Sequence, residues 1–435
     1  MVKYIRKISI FLLILFFVNI GFGQQTTLID CFKAAEQNHP ALQKDVEIER
    51  INSLKLKNIN SSWYPAVDLK GKVTNQSDVT SIDIDLSKLV PKQQQNQPGA
   101  VPELPNPKPT HYDAALEISQ KIYDFGATSS QKKLIETKYE EELANIAVNY
   151  QQIKLQISKI YLQILVLKKH REILQSMIGD IEATLRIVSS GVENGILLPS
   201  DKYELVAKKL ETEQNIADIE HSISSLIANL IESTGLKIDG NSLVTPDIEF
   251  DSSNQIMRPE NKLFEIKRTI LQQNRQLKYR QNLPKIGGFA KVGYGRPGLN
   301  MLSGEFDGYY IAGIQLSWNI WDWKRNKRER QILKINKEII QKSERSFNKN
   351  VKTGLNREQQ NISKFQDMAR SDQDIIKLRK KILKEYRSKL RNGTITSADY
   401  VKKLNSLSRA RFNYENHKIK LTNAKINYQL LRGEL

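Results

Sequence analysis

Few residues that could carry enzyme chemistry occur together in this chain. The histidines are scattered along it: His39, His111, His170, His221 and His417. A zinc hydrolase needs paired histidines, as in HExxH, and an acid–base enzyme needs a nearby carboxylate pair, and neither accompanies these histidines. The lone cysteine, Cys31, excludes a multi-cysteine metal site and an internal disulfide. We therefore predict no enzyme activity, no metal site and no cofactor.

One glycine motif resembles a nucleotide-binding site, but its context differs. Residues 293–298 read GYGRPG, which matches G-x-G-x-x-G after a predicted strand. A dinucleotide-binding turn must open a helix, whereas Pro297 and a glycine-rich loop follow here. We interpret this motif as the loop of a β-hairpin.

The first residues are typical of an export signal. Three cations within residues 3–7 precede an apolar run from Ile8 to Ile20, and Gly21-Phe22-Gly23 provides a small-x-small cleavage site. We predict a signal peptide over residues 1–23 and a mature chain that begins near Gln24. The apolar run is shorter than the roughly 20 residues of a membrane-spanning helix, and no later run is longer. If the mature chain crosses a membrane, it must do so with strands.

The composition is lean in apolar residues for a globular core of 435 residues. Hydrophobic residues make up 39% of the chain and the mean hydropathy is −0.49, values that favour coiled coils. The formal net charge is +19, or +16 without the three signal-peptide cations, which raises nucleic acid as a partner. The basic residues are densest from Lys324 to Lys352, interleaved with apolar positions of a predicted helix. We interpret them as a solvated helix face and predict no nucleic-acid partner, because an exported chain rarely meets nucleic acid.

The chain contains two related halves, which indicates an internal two-fold repeat. Three landmarks recur after 198 residues: YDFG at 123–126 and WDWK at 321–324, Asn-Gly at 194–195 and 392–393, and Gly235 and Gly433. Earlier in each half the spacing is 219, as between Pro40 and Pro259. We predict a first repeat over 24–236, a linker over 237–258 and a second repeat over 259–435.

The difference between the two spacings indicates 21 extra residues in the first half. They centre on residues 91–110, where prolines and glutamines are concentrated, a composition typical of an irregular loop. An insertion confined to a loop leaves the repeated scaffold intact.

Each half reads as helix, strand, strand, very long helix, turn and helix. Apolar residues follow 4-3 spacing from Tyr139 to Val188, with Arg171 as a break, which predicts a coiled coil. A helix from Ala127 to Val188 would be roughly 93 Å long at 1.5 Å per residue. The other predicted helices cover 29–62, 200–234, 259–282 and 398–432, with a looser heptad pattern over 351–390.

Four segments are predicted to be strands. From Tyr310 to Ile320 every second residue is apolar, and Gly313, Gln315, Ser317 and Asn319 alternate with them, the pattern of a transmembrane barrel strand. Residues 115–122 alternate in the same way, and 67–73 and 286–294 do so less regularly. Open strand edges cost several kcal/mol for each unpaired group in hydrocarbon, and a barrel needs about eight strands or more. The barrel must therefore be shared: two copies give eight strands and three give 12.

These landmarks together resemble the TolC family of outer-membrane efflux proteins over nearly the whole mature chain. Residues 28–42, LIDCFKAAEQNHPAL, are similar to the family's opening helix with its Asn-x-Pro-x-Leu-like turn. Residues 123–126 resemble its strand-to-helix junction, and residues 190–201 and 390–399 resemble its two helix-hairpin tips.

The resemblance implies a mainly α-helical homotrimer in the outer membrane with a long periplasmic extension. Long antiparallel helical hairpins would form an α-barrel, and four strands per chain would form a shared 12-stranded β-barrel surrounded by outer-membrane lipid. The duct would export solutes with a periplasmic adaptor and, through it, an inner-membrane pump or secretion ATPase. The rival interpretation is a periplasmic adaptor protein, in which one coiled-coil hairpin is flanked by compact β domains.

The resemblance also implies roles for the tips. The candidates for adaptor contact are Gly191, Asn194, Gly195, Asp201, Asn392, Gly393 and Thr394. As turn residues, Gly191, Gly195 and Gly393 are expected to supply positive φ. Asp399 matches the residue that builds an acidic ring at the periplasmic mouth, although a carboxylate at a helix N-terminus is also favoured by the helix dipole. Ile395, Leu390 and Lys402 replace an arginine, a tyrosine and an acidic residue of the family pattern, so the gate is expected to close differently.

Overall fold

The computed structural model describes residues 25–80, 91, 107–240, 242–249 and 256–435. The predicted signal peptide and most of the predicted 91–110 loop lie outside the described residues, as does part of the predicted linker. The described elements follow one another in this order: α1 (Leu28–Asn38), α2 (Asp45–Ser61), β1 (Ala66–Asn75), β2 (Thr110–Tyr123), α3 (Ala127–Glu193), α4 (Pro199–Thr234), α5 (Pro259–Gln281), β3 (Lys285–Arg296), β4 (Asp307–Ser317), α6 (Arg325–Arg391) and α7 (Ser397–Arg432).

The helix bounds confirm the internal repeat. The long helices α3 and α6 each have 67 residues, the return helices α4 and α7 each have 36, and both pairs begin and end 198 residues apart. At 1.5 Å per residue the long helices measure about 100 Å. Both return helices end at a left-handed glycine, Gly235 at φ +71° and Gly433 at φ +86°. None of the helices in the described part of the chain has an apolar stretch sufficient for a transmembrane span.

The predicted single helix over 29–62 is wrong, because the chain breaks between α1 and α2. His39 ends α1 in an extended conformation, φ −75° and ψ 121°, as expected for a residue that precedes proline. At the start of α1, Thr27 and Asp30 form a reciprocal capping box, with the Asp30 amide donating to Thr27 Oγ1 at 3.2 Å. Hydrogen bonds from Thr27 lower the pKa of Asp30, so this cap is charged at neutral pH.

The described chain divides into two compact units, each built from both sequence repeats. The helical unit comprises residues up to 46 together with 143–263 and 343–435, and the strand-bearing unit comprises 47–142 and 264–342. The predicted repeat boundaries therefore mark the duplicated sequence, and they do not coincide with the boundaries of these two units.

The core of the helical unit follows the heptad pattern of α3. Ile157, Ile164, Ile181 and Val188 are completely buried, as the 4-3 spacing predicts. Tyr161, one residue outside that line, is also fully buried, and its hydroxyl lies 2.6 Å from the Val244 carbonyl oxygen. Fully burying a large apolar side chain stabilises by about 1.5–3 kcal/mol, so this seam is a principal source of stability.

The four strands form one antiparallel sheet in the order β1-β2-β3-β4. Leu69 pairs with Leu116, Leu116 with Val292, and Val292 with Tyr310, so one apolar row crosses the whole sheet. These side chains are exposed, Leu69 at 81% and Tyr310 at 77%. The predicted alternation of β2 and β4 is confirmed within the strands, although a bulge between Lys121 and Tyr123 shifts the end of β2.

The opposite face of the sheet carries charged side chains that pair with one another, together with the exposed Phe289 and Ile311. The Lys70 ammonium lies 2.5 Å from Glu117, and the Asp113 carboxylate accepts hydrogen bonds from Lys291, at 2.8 Å, and from Tyr309. Among the described residues, β1 and β4 each pair on one side only. The sheet therefore has an apolar face, a charged face and two open edges.

Gly433 and Gly195 both have a left-handed backbone, but only at Gly433 would an added Cβ collide with other atoms. Replacing each by alanine therefore separates the cost of the backbone conformation from the cost of the collision. A Cβ on Gly433 would lie 2.6 Å from the Met257 carbonyl oxygen, whereas a Cβ on Gly195, at φ +75°, meets nothing within 4 Å. We expect Gly433→Ala to lower the free energy of unfolding by about 3 kcal/mol and Gly195→Ala by about 1 kcal/mol. Urea unfolding followed by far-ultraviolet circular dichroism measures both, and equal losses would contradict this packing of the C-terminal turn.

Candidate functional site: the helix hairpin tips

The first tip, residues 190–201, reverses the chain between α3 and α4. Gly195 has φ +75° and donates its amide to the Val192 carbonyl oxygen at 3.0 Å. The amides of Ile196 and Leu197 both donate to the Gly191 carbonyl oxygen, at 2.8 and 3.1 Å. The exposed Asn194 donates its side-chain amide to the Ser190 carbonyl oxygen at 2.8 Å, so the turn is closed by local hydrogen bonds.

The second tip, residues 390–399, repeats this geometry. Gly393 has φ +68° and donates to the Leu390 carbonyl oxygen at 3.0 Å. The amide and the hydroxyl of Thr394 both donate to the Lys389 carbonyl oxygen, each at 3.0 Å. Asn392, Gly393 and Thr394 are exposed, and a Cβ on Gly393 would lie 3.4 Å from the Ile196 carbonyl oxygen. The two tips are therefore in contact.

The expectation of positive φ holds for Gly195 and Gly393 and is wrong for Gly191. Gly191 lies within α3 and is absent from the left-handed residues of the described chain. A Cβ there would lie 2.8 Å from Leu197 Cδ1, so the missing side chain provides space for Leu197 to fold back onto the helix. The sequence alone does not separate a glycine needed for space from one needed for conformation.

Asp201 connects the two tips. Its side chain is buried, with one carboxylate oxygen accepting from the Ser397 amide at 2.7 Å and the other from the Leu198 amide at 3.3 Å. Asp201 therefore caps its own helix, α4, and also the N-terminus of α7. The repeat comparison identified this position, but the bond to the other tip is visible only in the structure.

Asp399, which the repeat relates to Asp201, is in a different situation. It is exposed, and its carboxylate accepts from the Thr396 hydroxyl at 3.0 Å while its amide donates to the same hydroxyl oxygen at 3.3 Å. The residue that the repeat relates to Ser397 is Pro199, which has no amide hydrogen to donate. Asp399 therefore cannot form the same bridge to another first tip, and its charge stays exposed.

The tips also carry exposed apolar side chains that the sequence analysis did not select. Ile196 is 61% exposed and Leu198 is 67% exposed, and Tyr203 in the first turns of α4 is 68% exposed. The signal available in the sequence was the presence of the apolar residues Ile196 and Leu198 in a predicted turn. An apolar group of this kind on a reversed helix pair is suited to contact with another protein.

No family model matches the sequence, and no curated protein is significantly similar to it. Solved structures match the fold over almost the whole chain. The outer membrane protein VceC of Vibrio cholerae is 13% identical with a TM-score of 0.67, covering 93% of this chain and 96% of its own. The Campylobacter jejuni outer membrane channel CmeC is 14% identical with a TM-score of 0.66, covering 94% of this chain and 85% of its own.

A third structure shows the open state of the Neisseria gonorrhoeae outer membrane channel MtrE. It is 13% identical with a TM-score of 0.63, covering 94% of this chain and 89% of its own. This chain has the TolC-type channel fold. The fold prediction is thereby confirmed for the long antiparallel hairpins, the four strands and the internal repeat. At these identities the TolC-type likeness concerns the fold.

A polar cluster lies beside the tips. The Arg387 guanidinium donates to Asp180 at 2.8 Å and to the Tyr400 hydroxyl at 3.1 Å. Thr184 lies 2.9 Å from the same hydroxyl, and Tyr400 is completely buried. The cluster connects α3 with α6 and α7. The repeat could not reveal it, because the related positions hold unlike side chains: Leu378, Ile382, Ser189 and Lys202.

Within the described residues, no group of three histidine, cysteine or acidic side chains could hold a metal ion. Cys31 is buried in the helical unit, and burial raises the pKa of its thiol to about 12. The thiol is therefore protonated at neutral pH and acts as an apolar core group.

The two tip carboxylates provide a direct comparison of a bridge with a local cap. We expect Asp201→Ala to lower the free energy of unfolding by about 2 kcal/mol, because the buried Ser397 amide loses its acceptor. We expect Asp399→Ala to cost only about 0.5–1 kcal/mol, because it removes an exposed acceptor of the Thr396 hydroxyl and a carboxylate from the first turn of α7. Denaturant unfolding and amide exchange at the start of α7 measure the effect. Equal destabilisation by both variants would contradict the bridge.

Proposed function

We propose that this chain is a subunit of an outer-membrane channel-tunnel that exports solutes from the periplasm to the exterior. The observation that carries the proposal is the sheet, which combines an exposed apolar face, a charged face and two open edges with long helical hairpins in a TolC-type fold. An apolar face suits contact with lipid, and a charged face suits a water-filled lumen.

The open edges support a barrel shared between copies. In hydrocarbon each unpaired backbone group costs several kcal/mol, so β1 of one copy must pair with β4 of the next. Two copies would supply eight strands, which side chains nearly fill, and three would supply 12, which leave an open lumen. We therefore propose a homotrimer with a 12-stranded barrel.

The outer faces of α4 and α6 in the helical unit support the same assembly. On α4, Tyr203, Val206 and Leu210 follow 3-4 spacing and are exposed. On α6, Met368, Ile375 and Leu378 are exposed at spacings of seven and three residues, which also keep to one helix face. The α4 helix has seven acidic residues and three lysines, whereas residues 343–391 of α6 have 14 basic and six acidic residues. Opposite charges beside matching apolar rows favour packing of α4 against α6 of the next copy.

The tips are the proposed docking surface for a periplasmic adaptor, which would connect the duct to an inner-membrane pump or secretion ATPase. The exposed Ile196 and Leu198 supply apolar contact area, and the exposed Asn194, Asn392 and Thr394 supply hydrogen-bonding groups around it. Two hairpins attached to one sheet argue against the adaptor interpretation, which requires one hairpin between compact β domains.

The exposed Asp399 is the proposed pore constriction. In a trimer three copies of this carboxylate would face one another at the tips and favour cations. Both carboxylate oxygens of the buried Asp201 already accept from backbone amides, so Asp201 is proposed to position α7 and not to join the ring. The Arg387 cluster, which ties α6 and α7 to α3, is the proposed restraint on outward movement of the second tip.

Membrane fractionation tests the proposed location and assembly. We expect the full-length chain, expressed in a Gram-negative host, to enter the outer membrane as a trimer that resists dodecyl sulfate until heated. Closed barrels give this behaviour because every edge strand is paired. A soluble periplasmic monomer would contradict the proposal.

Ion selectivity measured in planar lipid bilayers tests whether the Asp399 carboxylates form a ring at the pore constriction. We expect Asp399→Asn to reduce the ratio of cation to anion permeability by roughly twofold or more, because it removes three charges from one constriction. Asp367→Asn is the matched control, since it removes an exposed carboxylate from α6 away from the tips. An unchanged ratio for Asp399→Asn, or an equal change for the control, would exclude the acidic ring.

A further inference from the structure

A groove on the helical unit is bounded by three helices, α3, α6 and α7. Its cavity has a volume of about 560 Å³, within the range of pockets that hold small organic molecules. All of its lining residues belong to the helical unit, at 169–176, 373–380 and 411–415. These segments are separate from the tips, the Asp399 position and the sheet, so the proposed function leaves the groove unexplained.

Two hydrogen bonds between helices fix the walls of the groove. The Arg411 guanidinium donates to the Ser176 hydroxyl at 3.1 Å and connects α7 with α3. The Gln373 side-chain amide donates to the Tyr414 hydroxyl at 2.9 Å and connects α6 with α7. The groove is therefore formed before any ligand enters it, which lowers the cost of binding.

The lining of the groove includes an apolar surface. Ile173 of α3 is buried, and Ile376 of α6 packs against the core of the helical unit. The Tyr414 ring lines the groove beside them, and its hydroxyl is already bonded to Gln373. A ligand with an apolar body would remove this surface from water.

The charges that line the groove are unbalanced. Lys380 and Arg411 have no acidic partner among the described residues, and Arg411 donates only to the neutral Ser176 hydroxyl. The other lining cations and both lining carboxylates already form ion pairs on their own helices: Lys169 with Glu172, Lys377 with Asp374, and Lys418 with Glu415. Two positive charges in the groove therefore lack a counter-charge from the chain.

The internal repeat shows that this imbalance is not a requirement of the fold. The positions 198 residues before the two cations hold Glu182 and Glu213, which both pair with Lys209, at 2.7 and 3.7 Å. The residue that the repeat relates to Lys209 is Leu407, which is buried in the core. The first hairpin therefore has its own counter-charge at these positions, whereas the second hairpin needs one from outside the chain.

The groove is on a different face of α6 from the row that is proposed to meet the next copy. At 100° per residue, Lys380 lies about 140° around the helix from Ile375 and about 160° from Leu378. A neighbouring copy packed on Ile375 and Leu378 would therefore leave the groove open. The missing counter-charge is accordingly assigned to a separate ligand and not to a second copy.

We propose that this groove binds a small organic anion with an apolar body, such as an aromatic or alkyl carboxylate. The anionic group contacts Lys380 and Arg411, because charge-assisted hydrogen bonds are the strong ones. The apolar body covers Ile173, Ile376 and the Tyr414 ring. The bound ligand contacts α3, α6 and α7 together, so it ties the second hairpin to the first.

Calorimetry on the full-length protein in nanodiscs tests the ligand class with three probes. Naphthoate has the apolar body and the carboxylate, naphthylmethanol lacks the charge, and acetate lacks the apolar body. We expect naphthoate to bind at least roughly tenfold more tightly than either of the others, after subtraction of empty nanodiscs. Equal affinity for naphthylmethanol would contradict the anion contact, and equal affinity for acetate would contradict the apolar contact. Absence of naphthoate binding would overturn the proposal.

Paired variants test the position of the site. Lys380→Gln with Arg411→Gln should weaken naphthoate binding roughly tenfold or more and leave the weak naphthylmethanol binding unchanged. Lys381→Gln with Arg409→Gln is the matched control, since it removes one exposed cation from α6 and one from α7 outside the groove. Far-ultraviolet circular dichroism checks that both pairs keep their helices.

The comparison of the two pairs separates a site from general attraction of anions to a basic chain. Equal weakening by both pairs would show general attraction and would contradict the groove. Unchanged naphthoate binding by Lys380→Gln with Arg411→Gln would place the anion elsewhere and also contradict it. Neither result depends on channel activity, so failure of the groove and failure of the proposed export function are distinguishable.

Discussion

The four-stranded sheet needs a cover for its apolar face and partners for its two open edges, and a single copy of this chain does not supply both. One face exposes leucines, isoleucines and tyrosines, and the two outer strands have an open edge among the described residues. In water the apolar face is unfavourable, and in lipid the open edges are unfavourable, so neither solvent suits one copy alone. Lipid contact together with edge pairing between copies removes both costs. The proposed closure of one barrel between copies follows from this constraint.

The helices form two long hairpins from a duplicated sequence, but the two hairpins are not equivalent at their tips. The helix lengths and the left-handed turn glycines repeat after 198 residues. The hydrogen bonds of the two tips differ. Asp201 accepts from the Ser397 amide, whereas the repeat-related Pro199 has no amide hydrogen to donate to Asp399. Asp201 is therefore used in a bond between the two tips, whereas Asp399 keeps an exposed charge.

Much of the fold could be predicted because periodic patterns report burial directly. The heptads of α3, the alternation of β4 and the repeated landmarks each depend on many residues, so single exceptions such as Arg171 do not obscure them. The break at His39 was missed because a helical pattern continues on both sides of it. The role of Gly191, the Asp201 bridge and the Arg387 cluster depend on contacts between residues distant in sequence, and no local pattern encodes them. The strand-to-helix junctions at residues 123–126 and 321–324 are visible in the sequence as a repeated motif, but the positive φ of Phe125 and Trp323 is not.

Hydrogen exchange of the edge strands in the vesicle-inserted protein tests the central claim, closure of the sheet between copies, most directly. Peptides from β1 and β4 should exchange as slowly as peptides from β2 and β3, because pairing with the next copy protects the outer amides. Fast exchange confined to the outer edges of β1 and β4, with β2 and β3 protected, would mean that the sheet remains open and would contradict the account.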